Sequence, residues 1–238
     1  TSFNPLEAFI YREGFARFTT VPFSTRPEDL ENKFVHLTNS SIQRHNCNES
    51  GLDPFDPVSR QDALIGGTKI SFKALKGRLE GLGVRWDVVW TRMIDVVLKS
   101  LCMAEDQIPN QVNSFELFGY DLLLDADLRI WLIEVNSSPS MGQEHLLDEQ
   151  VKQTLINDTI DLVEPVEFDR RKLAHVLHRH LDKKNTGRQQ LDIDLHAILG
   201  GRNPRQHGEM PEKMGDYERI APGEQCDSIL RARNSIFR

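Results

Sequence analysis

Apolar positions recur at helical spacing over much of this chain. From Trp86 to Ile108 the stripe Trp86, Val89, Trp90, Met93, Ile94, Val97 and Leu101 follows i, i+3, i+4 steps and predicts a long helix buried along one side. Ser71 to Leu82 predicts a shorter helix, with Ser71 as N-cap and Gly81 and Gly83 at its end. Leu146 to Val163 repeats the pattern through Leu147, Val151, Leu155, Ile156, Thr159 and Leu162, and Glu164-Pro165 ends it. Asp169 to Leu181 gives a third amphipathic helix with Leu173, Val176, Leu177 and His180 on one side, and Leu191 to Leu199 is a short helix at best.

Elsewhere the pattern is that of strands. Leu6 to Arg12 and Phe15 to Val21 flank Glu13-Gly14 and predict a hairpin with glycine in its turn. Phe34 to Leu37 predicts a short strand, and Cys47 to Lys69 a polar connection containing Gly66-Gly67. The densest apolar sequence is Phe115 to Ser140, where Leu117 to Leu124 and Arg129 to Val135 flank the turn Asp125-Ala126-Asp127-Leu128. Beyond Gly200 the sequence is punctuated by Pro and Gly, has few apolar residues, and predicts an extended tail.

That central stretch carries the candidate chemistry. If Leu124 pairs with Arg129, Asp121 falls opposite Leu132, and Glu134 and Asn136 share that face, with Glu134 diagonal to Asp121. Leu122, Leu124, Trp131, Ile133 and Val135 then make the hydrophobic face. Two neighbouring carboxylates in an apolar sheet call for a cation or a proton between them, and oxygen ligands without His or Cys favour Mg²⁺ or Mn²⁺ over zinc. The alternative is a solvated pair on an exposed sheet, and a one-residue change of register would separate Asp121 from the other two. Arg17, on a strand of small and aromatic residues, suits a phosphate or carboxylate, or a structural partner such as Glu13. Thr38-Asn39-Ser40-Ser41 offers donors for a phosphate or reads simply as a turn. His175, His178 and His180 lack a fourth ligand and belong to a surface helix rather than to a metal site.

Composition adds bounds. With 238 residues, 39% hydrophobic and 27% charged, the chain is an ordinary globular one. It has no apolar run of membrane-spanning length and no signal peptide, so no membrane partner is expected; no nucleic-acid partner is expected either. Cys47, Cys102 and Cys226 have no metal-ligand spacing and read as reduced thiols of a cytosolic protein. The net charge of −7 divides into −11 over Thr1 to Phe168 and +4 over Asp169 to Arg238. This asymmetry points to an acidic body, 1–168, and a basic helical and extended tail, 169–238, either suited to an acidic partner or merely solvated. A first residue of Thr1 running straight into a strand suggests a piece of a longer protein.

At FGYDLLLD…RIWLIEVNSSPS, with FVHLTNSSIQ and YREGFARF, the sequence resembles the tubulin tyrosine ligase-like family over about Pro5 to Val163. The segments Leu155 to Thr159 and Gly215 to Glu218 are most similar to its ciliary tubulin polyglutamylase branch. The resemblance implies an ATP-grasp fold, α+β, of which this chain would hold the C-terminal half: an antiparallel sheet with flanking helices. It also implies an ATP-dependent ligase that phosphorylates a carboxylate and lets the amine of free glutamate attack it, modifying glutamates in the acidic tails of tubulin. Position by position, Asp121, Glu134 and Asn136 resemble the family's Mg²⁺ ligands. Arg17 resembles the arginine beside the transferred phosphoryl group. His36, Thr38 and Asn39 fall at the nucleotide and catalytic centre. ATP, Mg²⁺ or Mn²⁺, microtubules and free glutamate are the implied cofactors and partners, and cytoplasm, cytoskeleton and the axoneme or basal body of a cilium the implied setting.

One departure bears on activity. The family's adenine hinge and phosphate-binding lysines precede the YREG strand, where this chain starts, so the 238 residues alone are expected not to turn over ATP. A glycylase, a ligase for another protein and a non-catalytic microtubule-binding module remain open beside the polyglutamylase reading.

Overall fold

Residues 1–50, 68–109, 114–165, 168–182, 188–200 and 205–236 are described by the computed structural model of the chain. Their strands are β1 (Ser2–Phe3), β2 (Leu6–Tyr11), β3 (Phe15–Arg17), β4 (Lys69–Ser71), β5 (Gly119–Leu124), β6 (Ile130–Asn136) and β7 (Tyr217–Ala221). Their helices are α1 (Lys33–His36), α2 (Ser40–Ser50), α3 (Phe72–Gly81), α4 (Trp86–Ala104), α5 (Leu146–Val163), α6 (Arg170–Asp182), α7 (Arg188–Ile198) and α8 (Glu224–Ile236). The mixture of helix and antiparallel pairing is the expected α+β class.

The predicted stripe becomes the spine of the core. Val89, Met93, Ile94, Val97, Leu98, Leu101 and Cys102 of α4 are buried, and α4 packs with Leu6 and Ala8 of β2, Ile220 and Ala221 of β7, and Cys226 of α8. Each large aliphatic side chain removed from water in this way contributes roughly 1.5–3 kcal/mol. The Cys102 and Cys226 sulfurs approach to 4.0 Å. Burial, with the adjoining Cys226, pushes the Cys102 thiol up to about 12, so it stays protonated and inert.

The extended tail is therefore a misreading. Strand β7 joins a three-stranded antiparallel sheet in the order β1-β2-β7, with Phe9 facing Arg219 and Tyr11 facing Tyr217. Few apolar residues are needed here, because Tyr217, Ile220, Ala221 and Cys226 are all buried. Polar contacts lock the same element. The Tyr11 hydroxyl and the Asp216 amide both donate to Asp158 Oδ2 at 3.0 Å, and Tyr217 and Thr159 hydroxyls lie 2.7 Å apart. Glu7 of β2 takes both terminal nitrogens of Arg205, at 2.9 and 2.8 Å.

Three other expectations change. Strands β2 and β3 do not pair with each other; β2 joins β1 and β7, whereas β3 joins β4. Glu13 decides this, since its Oε1 accepts from the amides of Gly14 and Phe72, at 2.9 and 2.6 Å, and turns the chain toward β4. A Cβ on Gly14 would sit 2.9 Å from the Phe72 ring, so glycine permits that approach. Residues 34–37 are helical or helix-terminal rather than a strand, because Asn32 caps α1 through the Phe34 amide. Fully buried Gln43 ties α2 back to this turn by donating to the carbonyls of Phe34 and Leu37. Finally, helix α2 runs to Ser50 and β4 begins at Lys69, which shortens the polar connection at both ends; 51–67, with Gly66-Gly67, lie outside the described residues.

Helices α3, α5 and α6 match their patterns. Ser71 Oγ accepts from the Ala74 amide at 3.1 Å, α5 spans Leu146–Val163 as the periodicity predicts, and Asp169 caps α6. Helices α6 and α7 pack on each other, with Arg179 and His180 both on Asp194.

Candidate functional site

The β5–β6 hairpin forms, but not in the expected register. Leu124 pairs with Ile130 rather than Arg129, because the Asp125 amide closes the turn on the Arg129 carbonyl. Carried on unbroken, that pairing would set Asp121 against Ile133. An irregularity between Asp121 and Leu122 admits one more residue of β6, and Asp121 faces Glu134 directly. Gly119 faces Asn136, two residues on, so Asp121, Glu134 and Asn136 share one side. Leu132 is not on that side: it pairs with Leu122, while Trp131 pairs with Leu123.

The hairpin is also not the centre of the core. It is a separate two-stranded sheet, and Leu123, Trp131, Ile133 and Val135 are exposed, Trp131 to 53%. Its apolar density is that of strands reaching past the core rather than lying in it. The carboxylates are accordingly half-buried to exposed, and desolvation does not force a cation between them. Their direct opposition supplies the physical reason instead, since like charges facing each other across two strands destabilise the pair. Asn136 donates from Nδ2 to Glu134 Oε1 at 3.1 Å, which leaves its own Oδ1 as a further neutral oxygen. Two carboxylates and one amide oxygen fit a hard divalent cation such as Mg²⁺.

Arg17 ends β3 and reaches the same place. Its Nη1 lies 4.0 Å from Asp121 Oδ2, both side chains being about two-fifths exposed, so the pair is worth little as a stabilising contact. Its value is positional: a guanidinium stands beside the acidic pair. The structural alternative, pairing with Glu13, is not taken, since Glu13 is engaged with backbone amides.

Arg17, Thr38, Asn39, Asp121, Glu134 and Asn136 all line one cavity of about 1540 Å³. His36 does not. Its Nε2 is 3.0 Å from the Asp29 carbonyl and its ring meets Phe23 edge-on, which directs it away from the cavity. The Asn39 carbonyl accepts from Ile42 and Gln43, so this residue also starts α2. Among the described residues no group of three His, Cys, Asp or Glu gathers around a common point, and the His175, His178, His180 set makes no metal site.

The sequence did not single out Lys69, Asp148 and Lys152. Lys69 pairs with Arg17 across β3–β4 and gives its ammonium to both Asp148 oxygens, at 2.8 and 2.6 Å. Lys152, one turn along α5, reaches Asp148 at 3.5 Å and the Gly142 carbonyl. Burial works to raise the Asp148 carboxyl, but hydrogen bonds from Lys69 and the charges of both lysines bring it below the usual range. A buried aspartate within Leu146-Leu147-Asp148 reads from sequence as one more polar position at a helix start.

A cavity lined by an acidic pair and by basic groups suits an anionic substrate held with a divalent cation. Residues 1–172 match the family model described as "Tubulin-tyrosine ligase family", and the chain belongs to that family. It is 31% identical over 260 residues to tubulin polyglutamylase TTLL6 of Mus musculus, covering 100% of this chain and 30% of that protein. With TTLL6 of Homo sapiens it shares 37% over 186 residues, covering 73% and 20% respectively. With tubulin monoglutamylase TTLL4 of Mus musculus it shares 32% over 170 residues, covering 68% and 14%. The chain thus spans less than a third of the length of these relatives.

Proposed function

We propose that the chain is part of an ATP-dependent ligase that joins free glutamate to glutamate side chains in the acidic tails of tubulin. The observation that carries this reading is the direct opposition of Asp121 and Glu134, with Asn136 beside them and Arg17 4.0 Å away, on one cavity. The names of the relatives, tubulin polyglutamylases and a monoglutamylase, support the choice of tubulin and glutamate.

On this reading Asp121, Glu134 and Asn136 would hold Mg²⁺, which would offset the charge of the ATP phosphates. Arg17 steadies the anionic phosphoryl group as it passes to the acceptor carboxylate, through hydrogen bonds that a guanidinium gives in pairs. Formation of the acyl phosphate releases ADP. Attack by the amino group of glutamate then forms the amide, releases phosphate and gives up the ammonium proton. Thr38 and Asn39 line the edge of the nucleotide's place. Helix α6, with Arg170, Arg171 and Lys172 in its first turn, offers positive charge to an acidic tail. The protein then works on the microtubule cytoskeleton, the ciliary axoneme included.

The test uses the full-length protein with ATP, Mg²⁺ and microtubules, and labelled glutamate or glycine in parallel. The reading expects glutamate to enter tubulin. Glycine entering in its place would make the protein a glycylase, and binding to microtubules without incorporation of either would make it a non-catalytic module.

A further inference from the structure

Gly119 opens β5 at a place where the backbone does not ask for glycine. Its φ is not positive, and glycine weakens a strand because it has no side chain to pack. A close approach requires it instead. A Cβ on Gly119 would sit 2.9 Å from Pro139 Cβ, 3.7 Å from its Cγ and 3.8 Å from Asn136 Cβ. The proline ring thus fills the space of the missing side chain, on the face that Asp121 and Asn136 share. Bends at Ser137 and Ser138 turn the chain back to that point, and of residues 137–140 only Pro139 is half-buried, the three serines being exposed. Further on, Ser140 Oγ accepts from the Gly142 amide at 3.3 Å, and Lys152 donates to the Gly142 carbonyl. Ser138 to Gly142 line the same cavity as Asp121 and Glu134.

We propose that Gly119 and Pro139 are positioning residues for the cation ligands: the proline ring, seated on the glycine, pins the end of β6 and so holds Asn136 and Glu134 in place across from β5. This rests on the reading of Asp121, Glu134 and Asn136 as the cation's ligands. Asn136 is the last residue of β6 and faces Gly119, so no further rung of the ladder secures it. Its Nδ2 donates to Glu134 Oε1 at 3.1 Å, and a shift of Asn136 therefore disturbs that carboxylate as well. Proline suits the task, since its ring fixes φ and restricts Ser138 before it, and the contact is made by a stiff piece of chain. A ligand set keeps its geometry only when the packing behind it is locked.

The test is Mn²⁺ binding to the full-length protein without nucleotide, read from the EPR signal of the free ion, with Glu134→Gln marking ions bound elsewhere. Gly119→Ala is expected to weaken the Glu134-dependent binding by about 10- to 100-fold, as changes behind metal ligands do. On a Pro139→Gly background, where the added methyl has room, the same change is expected to cost less than about twofold. Glu134-dependent binding that Gly119→Ala leaves unchanged overturns the proposal. So does an equal loss in both backgrounds, because the methyl would then act through something other than Pro139. Should Gly119→Ala not fold, Pro139→Gly alone decides: weakened Glu134-dependent binding supports the seat, and wild-type binding overturns it. In each of these outcomes the cation reading stands. Mn²⁺ binding that Glu134→Gln leaves untouched removes that reading, and the seat with it.

Discussion

Asp121 stands directly opposite Glu134 because the β5–β6 ladder changes register between Asp121 and Leu122. The extra β6 residue brings Glu134 level with Asp121. Two carboxylates so placed would act on one shared ion. Asp121→Asn and Glu134→Gln should each raise the Mg²⁺ concentration required for ligation by about 10- to 100-fold. The double variant should do little more than either alone, because each single change already empties the shared site. Titration of the rate with Mg²⁺ decides this, and fully additive effects would separate the two residues.

The Lys69–Asp148 pair is buried on both sides, so its loss should be felt in stability. Asp148→Ala leaves the Lys69 ammonium buried and unmatched, and should cost about 3–5 kcal/mol in denaturant unfolding. An unchanged midpoint would mean that the ammonium finds water.

Stability should fall in acid for a reason visible at Glu7. Burial alone would raise this carboxyl, but hydrogen bonds from Arg205 and further donors bring it down to about 2, from 4.5 in an exposed chain. A depressed carboxyl stabilises the fold fully above its unfolded value, and that contribution is lost as pH falls from about 4.5 toward 2. It amounts to roughly 3 kcal/mol. Asp148, also lowered, acts in the same direction. Chemical denaturation at pH 7 and pH 3 should show the loss, and Glu7→Gln should reduce it.

Gly215→Ala should destabilise the attachment of β7. Gly215 has a positive φ of 53°, and a Cβ there would sit 2.0 Å from the Asp158 carboxyl carbon. Asp158 can move only by releasing the Tyr11 hydroxyl and the Asp216 amide, each bond being worth about 1 kcal/mol. The thermal midpoint should drop by several degrees.

Elements with a strong local signal were legible in the sequence, and those defined by distant partners were not. Helix α5 has the predicted bounds because its periodicity and Glu164, at a positive φ, are both local. Strand β7 escaped notice because its partner β2 lies some 200 residues earlier and contributes much of the apolar cover. The grouping of Asp121, Glu134 and Asn136 was legible from alternation, but the register was wrong at both the turn and the bulge. The two departures each shift the pairing by one residue in the same direction, so Asp121 still meets Glu134. His36 could not be placed, since α1 exists through the Asn32 cap and the buried Gln43 amide rather than through any apolar pattern. Lys69 and Lys152 carried no local sign of the aspartate they share.

On the proposed function the Asp121–Glu134 pair, with Arg17 beside it, holds the cation of an amino-acid ligase. The measurement that tests it most directly is incorporation of labelled glutamate into microtubules by the full-length protein and by its Glu134→Gln variant, with circular dichroism and thermal midpoint recorded for both. Wild-type incorporation that falls about hundredfold or more in a folded variant, the equivalent of about 2.7 kcal/mol of lost transition-state stabilisation, is the predicted result. Equal incorporation by the two proteins would contradict it.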